Sequence, residues 1–426
     1  MTDSDYGFDT LSIHAGAAPD PTTGARATPI YQTTSYVFQD VDHAAALFNL
    51  EQFGNIYSRI GNPTNAVLED RIAALEGGTA ALAVASGHAA QLIVFHTLLS
   101  AGDEFIAANK LYGGSMNQFA HAFAKMGWHV NWADATEPES FRAAITEKTK
   151  AIFIESLANP GGVVCDIAAI AKIADEAGIP LIVDNTLATP YLCRPFDHGA
   201  HIVVHSATKF LGGHGNSVGG LIVDGGRFDW SNGKFPTLSE PNDSYHGMKL
   251  HDTFGDIAFA IACRTLGLRD LGPALAPMNA FLLLTGIETL PLRMRRHCDN
   301  ALQVARFLST HQDVEWVSYA GLPDSPYRAL AEKYLPQGAG AVFTFGVKGG
   351  YAAGTKLVGR VKLLSHLANV GDTRSLIIHP ASTTHRQLEE KEAIAAGAGP
   401  EVVRLSIGIE DPKDIIADLA QALSGS

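Results

Sequence analysis

Leu181-Ile182-Val183-Asp184-Asn185-Thr186 and Ile202-Val203-Val204-His205-Ser206-Ala207-Thr208-Lys209 decide the fold. Each is a short, continuous apolar run that stops on polar residues. A strand reads this way when both of its faces are covered, as in a parallel sheet between helices. Upstream, Ala151-Ile152-Phe153-Ile154 has the same form and ends in Glu155-Ser156, with Asn159-Pro160 just after. In open α/β sheets, ligands bind beyond the carboxyl ends of the strands. Three successive strands thus deliver two carboxylates and a lysine toward one edge.

Further strands are expected at Ala81–Ala85, Glu104–Ala108, His129–Trp132 and Gly220–Val223. Helical patterns lie near Asn65–Glu76, Gln91–Leu99, Ser115–Met126, Pro138–Ile145 and Ile167–Glu176. The alternation marks an α/β domain with a mostly parallel sheet, here placed at 63–275. Residues 1–62 lack a sustained period and are rich in Pro and Gly, so they read as an arm packed on something else. A long, irregular stretch follows at about 227–253. The last part, 276–426, reads as one linking helix over Asn279–Phe307 and a smaller C-terminal α+β domain. Its strands are expected near Val314–Val317, Val342–Val347 and Val402–Ser406, and its helices at Gly350–Leu357 and Pro412–Leu423.

Composition narrows the function. The chain has 426 residues, a formal net charge of −13 and only 18% charged residues. The acidic balance argues against a nucleic-acid or anionic-membrane partner. The low charged share predicts extensive burial, including burial between subunits. The four cysteines show no C-x-x-C spacing and read as free thiols packed in a reducing compartment. The acidic start lacks an apolar run, and the most apolar stretch, 80–99, is interrupted by polar residues. The expectation is a cytoplasmic protein with no membrane partner.

Asp184 and Lys209 differ in what they can do. A carboxylate at the end of an apolar strand stays ionised only beside a cation. A partly buried lysine has a lowered pKa and attacks carbonyls. Covalent capture of an aldehyde by a lysine, with an aspartate for a pyridinium nitrogen, is the pairing that pyridoxal phosphate (PLP) requires. Ala85-Ser86-Gly87-His88, at a strand-to-helix turn, offers N–H groups for a phosphate, and Ser206 and Thr208 offer hydroxyls. Arg404, inside the apolar run Val402-Val403-Arg404-Leu405, needs an anion. Other motifs fail. The glycines at 213, 215 and 219 do not form G-x-G-x-x-G, Gly233-Lys234 lacks a P-loop context, and His201 and His205 find no third ligand, so no metal is expected.

At these residues the chain resembles the Cys/Met-metabolism family of fold-type-I PLP enzymes, and within it is most similar to the O-acetylhomoserine sulfhydrylases. The matching stretches are Thr10–Gly16, Tyr57–Thr64, Val183–Thr186, His205–Gly215, His379–His385 and Val403–Glu410. The resemblance implies a PLP transferase and a role for each matching residue. Lys209 would bond the cofactor and later shuttle protons. Asp184 would pair with the ring nitrogen, Tyr112 would stack on the ring and assist proton transfer, and Asn159 would bond the ring hydroxyl oxygen. Ser86, Gly87, His88, Ser206 and Thr208 would hold the phosphate, while Tyr57 and Arg59 would reach the phosphate of a neighbouring subunit. Arg404 would clamp the substrate α-carboxylate with help from Asn369.

The implied reaction is γ-replacement: O-acetyl-L-homoserine and sulfide, or a thiol such as methanethiol, give L-homocysteine, or L-methionine, and acetate in methionine biosynthesis. The implied assembly is a homotetramer, a dimer of dimers with shared sites. Cystathionine γ-synthase, O-succinylhomoserine sulfhydrylase and methionine γ-lyase chemistry remain as alternatives on the same cofactor. Asn369, His88 and the 227–253 stretch lean toward the acetyl ester. A nucleotide-dependent oxidoreductase is the alternative from another class, and a non-catalytic cofactor-binding protein is a third.

Overall fold

The computed structural model describes residues 6–159, 161–384, 386, 391, 394 and 397–424. Residues 1–5, Pro160 and His385, all read above, lie outside the described residues. Seven strands form the large sheet: β1 Ala80–Val84, β2 Glu104–Ala108, β3 His129–Ala133, β4 Thr149–Glu155, β5 Leu181–Asp184, β6 Ile202–Ser206 and β7 Gly220–Asp224. Their order is β1-β7-β6-β5-β4-β2-β3. β7 is antiparallel to both of its neighbours, and the other strands run parallel to one another. The apolar runs are buried on both faces, as their continuity required.

Of the four N-terminal helices, α1 Phe8–His14, α2 Val41–Phe48, α3 Pro63–Glu76 and α4 Gly87–Leu98, the last two pack on this sheet and α1 packs on α3. α3 starts at the Asn62 cap with a proline in its first turn and stops at Gly77, whose φ is +76°. α4 packs its Phe95 against Phe105 of β2 at a ring separation of 4.3 Å, and Phe119, Phe123 and Phe153 close the cluster. This apolar anchor fixes the start of α4 over the carboxyl ends of β1 and β6. The backbones meet closely there: a Cβ on Gly87 would lie 2.9 Å from Ser206 Cβ, and one on Gly220 would lie 2.0 Å from Ser86 O.

A second sheet has the order β10-β11-β12-β9-β8, with β8 Val314–Ser318, β9 Val342–Val347, β10 Ser365–His366, β11 Leu376–Ile378 and β12 Val402–Ser406. The chain is therefore α/β, with a large, mostly parallel sheet and a smaller, mostly antiparallel one.

Three expectations need correction. The single helix over 279–307 is two helices, Pro277–Ile287 and Leu290–Ser309. Pro291 has no N–H to continue the first ladder but fits the first turn of the second. The helical run 115–126 is segmented into an α turn, a π-helical turn and a 3-10 turn. Residues 6–62 hold α1 and α2, which span 7 and 8 residues and are too short to show a period. β10 and β11 were also missed, having 2 and 3 residues.

Candidate active site

A cavity of about 280 Å³ opens where β4, β5 and β6 end and the loop before β11 arrives from the second sheet. Ser86, Gly87, His88, Tyr112, Asn159, Asp184, Ser206, Thr208, Lys209, Asn369 and Arg404 all line it. Tyr57 and Arg59 do not. Tyr57 is exposed, and the Arg59 guanidinium lies 5.5 Å from its ring and donates to Arg269 O.

α4 presents its N-terminus to this cavity. Ser86 caps the helix by accepting from Ala89 N at 3.1 Å, which leaves the first-turn N–H groups of Gly87 and His88 unspent. Beside them Ser206, ending β6, is held by its own N–H donating to Thr186 Oγ1 at 2.8 Å. The Thr208 hydroxyl bridges Gly219, accepting from its N–H at 3.1 Å. Oriented N–H groups and hydroxyls at the start of a 12-residue helix make a cradle for a phosphate.

Lys209 follows β6 directly. Its Nζ donates to Asn369 Oδ1 at 2.5 Å. Burial, reinforced by the Arg404 charge, pushes its ammonium down to about 8. The loop that carries it is pinned from behind by Arg293, which donates to the carbonyls of Phe210, Leu211 and Gly286. Sequence reasoning passed over Arg293, because its partners are backbone atoms of distant segments.

Asp184 ends β5. Burial raises its proton affinity, and donors from Thr186, the charge of His205 and the Gln91 amide oppose that rise. Thr186 donates both its N–H, at 3.0 Å, and its hydroxyl, at 2.5 Å, to Asp184 Oδ1. His205 and Glu76, both fully buried behind the site, are 2.6 Å apart. His201, four residues before His205, meets Asp175 at 3.0 Å.

Glu155 was left out of the expected site, yet it lines the cavity. Its two oxygens accept from Tyr112 N at 2.6 Å and Asn159 N at 3.0 Å. One side chain therefore fastens both loops, the one that brings Tyr112 and the one that brings Asn159 to the cavity. Burial first, and then the nearby Asp184 carboxylate, push its carboxyl well above the usual range. The Tyr112 ring is 48% exposed and stands edge-on to His88 with centroids 6.0 Å apart.

Arg404 lies mid-strand on β12, half-buried in the cavity wall. It donates to Asn159 Oδ1 at 3.3 Å and to Asn369 O at 3.2 Å. Among the described residues no carboxylate forms an ion pair with it, and burial pushes it down to about 10. A half-buried guanidinium with carbonyl partners and no counter-ion is built for an anionic ligand. The four cysteines are buried and free, and burial pushes each thiol up.

These residues fit PLP in donor chemistry: a depressed lysine for the aldehyde, a strand-end carboxylate for a ring cation and a helix start for the phosphate. Gly87 adds the space, since any Cβ there would press on Ser206 across the cradle.

A profile of the family described as "Cys/Met metabolism PLP-dependent enzyme" matches residues 9–424. The O-acetyl-L-homoserine sulfhydrylase of Leptospira meyeri is 53% identical over 424 residues, covering 97% of this chain and 96% of that protein. The homocysteine synthase of Schizosaccharomyces pombe is 50% identical over 419 residues, covering 98% of each. A Campylobacter jejuni crystal structure assigned as an O-acetylhomoserine (thiol)-lyase superposes with a TM-score of 0.95 at 41% identity, covering 98% of this chain and 100% of its own. That structure carries a pyridoxyl-lysine monophosphate.

Proposed function

The chain belongs to the Cys/Met-metabolism family of PLP-dependent enzymes, and we propose that it converts O-acetyl-L-homoserine and sulfide to L-homocysteine and acetate. Membership removes the nucleotide-dependent oxidoreductase alternative. The acetyl-ester reading rests on one observation: among the described residues, Lys209 and Arg404 are the only lysine and arginine in the cavity wall. With Lys209 engaged by the cofactor and Arg404 by the α-carboxylate, the described residues of the wall offer no third lysine or arginine. A succinyl ester brings a second carboxylate, and cysteine as nucleophile brings another. Sulfide brings none, and methanethiol fits the same reasoning.

When bound, PLP supplies an electron sink that stabilises carbanions next to the amino group of an amino acid. The chain's own residues do the rest. Ser86, Gly87, His88, Ser206 and Thr208 would hold the phosphate, Asp184 the ring nitrogen and Asn159 the ring oxygen, and Tyr112 would pack against the ring. Arg404 fixes the substrate α-carboxylate, and Asn369 orients both Arg404 and Lys209. Lys209, whose ammonium burial pushes down to about 8, would take a proton from Cα through its neutral fraction and return one, with Tyr112 as the neighbouring proton carrier. Loss of acetate from Cγ and addition of sulfide there complete a balanced exchange.

The division into an arm at 1–62, a cofactor domain at 63–275 and a C-terminal part at 276–426 serves an assembly of at least two chains. Arm residues Val37, Val41, Phe48 and Phe53 are exposed apolar side chains, which supports burial against another copy. Tyr57 and Arg59 then complete the neighbour's phosphate site, in a cytoplasmic homotetramer built as a dimer of dimers.

Kinetics with acetyl and succinyl esters, each paired with sulfide or cysteine, test the reading. A preference for the succinyl ester or for cysteine overturns it. Lys209→Ala should abolish turnover and the borohydride-sensitive absorbance of the purified protein; normal turnover by that variant sinks the mechanism.

A further inference from the structure

Tyr57 and Arg59 are exposed, yet the loop that carries them is fixed from behind. It closes on itself, with Ile60 N and Gly61 N both donating to Tyr57 O, at 2.8 and 3.2 Å. Its next partner is Arg264, whose Nη1 donates to Ile60 O at 2.8 Å. The other terminal nitrogen, Nη2, donates to Glu69 Oε2 at 2.6 Å. Glu69 lies on α3 and is 8% exposed. Its second oxygen, Oε1, accepts from Ala83 N of β1 at 2.9 Å. Both ends of this chain of contacts are backbone groups. One belongs to the exposed loop, the other to the strand that leads into Ser86 and the phosphate cradle.

Arg264 is presented by an uncommon element. Cys263–Leu268 is a π-helical turn, and Arg269 directly follows it. An i→i+5 helix brings to one side two residues that an α-helix would spread apart. Both arginines accordingly meet the loop: Arg264 donates to Ile60 O, and Arg269 O accepts from the Arg59 guanidinium. Arg269 is held in turn by Tyr245, its Nη1 donating to the phenol oxygen at 2.5 Å. That contact gives the irregular 227–253 stretch a task. The π-helical turn seats closely on α4 through Gly267, where a Cβ would lie 2.7 Å from Ile93 Cγ2. Packing does not call for the Glu69–Arg264 pair. Burying two charges costs about as much as their attraction returns, and apolar side chains would fill the same space. What the pair supplies is direction, because a planar guanidinium fixes two acceptors at once.

We infer that Arg264, locked by Glu69, is a positioning residue for the neighbouring subunit's cofactor site: it holds loop 57–61 so that Tyr57 and Arg59 meet that subunit's phosphate already in place. The inference rests on the reading that Tyr57 and Arg59 complete a neighbour's phosphate site. A loop ordered in advance spares the binding step the cost of ordering it. The effect of Arg264 is then felt in the other chain's site and not in its own.

Full-length Glu69→Gln/Arg264→Met, Arg59→Ala and Lys209→Ala proteins provide the test. The double variant leaves no unpaired buried charge and keeps an acceptor for Ala83 N, so its thermal melting should stay near the parental value. Stripped of cofactor and titrated with PLP, it should bind about tenfold more weakly by tryptophan fluorescence, the equivalent of about one hydrogen bond to a charged group. Arg59→Ala should be weakened at least as much. The double variant is then co-refolded with Lys209→Ala. In each hybrid dimer the one site that keeps Lys209 receives an intact loop from the Lys209→Ala chain. Random pairing across a two-fold axis gives two classes of active site in about equal number, one of parental PLP affinity and one weakened.

Parental PLP affinity in the double variant, while Arg59→Ala is weakened, overturns this inference alone. So does a hybrid preparation whose active sites are all weakened, since Arg264 would then act within its own chain. A lowered melting temperature with that same pattern marks a fold-wide role and overturns it too. If Arg59→Ala binds PLP as the parent does, the reading of Tyr57 and Arg59 fails and this inference fails with it.

Discussion

Glu155 and Asp184 occupy paired positions on the adjacent parallel strands β4 and β5. Two carboxylates side by side in a buried wall disfavour each other's charge. The surroundings give them different work. Glu155 spends both oxygens on backbone N–H groups of two loops. Asp184 takes both donors of Thr186 on Oδ1 and keeps Oδ2 available to a cation. The pair thus divides into one acid that shapes the site and one that charges it.

Glu155→Gln should separate the two duties. A glutamine accepts through one oxygen and confronts the second N–H with its own amide hydrogens. Either Tyr112 N or Asn159 N is then left unsatisfied, at a cost of about 1–3 kcal/mol. PLP affinity and kcat should each fall by about tenfold or more, with secondary structure intact by circular dichroism. Parental values for both would remove Glu155 from the site.

The pH response of the apoprotein follows from Lys209. Its folded pKa is near 8 and its ordinary value is 10.5. Between those values the unfolded chain binds more protons than the native one, so this group's contribution to stability rises with pH across that window. The rate of PLP capture, which needs the neutral amine, should climb with a midpoint near 8 in stopped-flow absorbance. Arg404→Ala removes a nearby positive charge and should move that midpoint upward. A midpoint near the ordinary lysine value in the parent protein would contradict the buried setting.

Arg404→Lys tests the clamp. An ammonium cannot reproduce the planar fork that reaches Asn159, Asn369 and a carboxylate together. KM for the amino-acid ester should rise by about tenfold to a hundredfold, while the chromophore of the resting protein stays near parental. An unchanged KM would assign the carboxylate to another group.

The Glu76–His205 contact is structural support behind Asp184. Glu76 Oε1 also accepts from Asn185 Nδ2 at 2.9 Å. Glu76→Leu leaves a buried imidazole without its partner and should cost about 3 kcal/mol or more in denaturant melts. A loss below about 1 kcal/mol would mean that water or a neighbour replaces it.

Shared sites predict complementation. Arg59→Ala and Lys209→Ala proteins should each be nearly inactive. Co-refolded, they should recover about a quarter of parental activity, because random pairing across a two-fold axis restores one intact site in half of the dimers. No recovery would place Tyr57 and Arg59 outside a partner's site.

Much of this was legible without coordinates. An apolar strand that ends in Asp184, and another that leads into Lys209, carry their burial and their polar ends in consecutive letters. A parallel sheet is read from such local runs, and every strand of the large sheet was found. What escaped was set by contacts between distant segments. The two-residue and three-residue strands β10 and β11 have no period to detect. Asn369 meets Lys209 across 160 positions and Arg404 meets Asn159 across 245.

The sequence by itself determined the α/β class, the lysine, the strand-end carboxylate and the mid-strand arginine that needs an anion, because each is a clash between a residue type and its immediate neighbours. Tertiary structure alone decided that Glu155 ties two loops together and that Arg293 pins the lysine loop. Those roles depend on which backbone and side-chain atoms face one another once the strands are in register, and register is a property of the packed sheet.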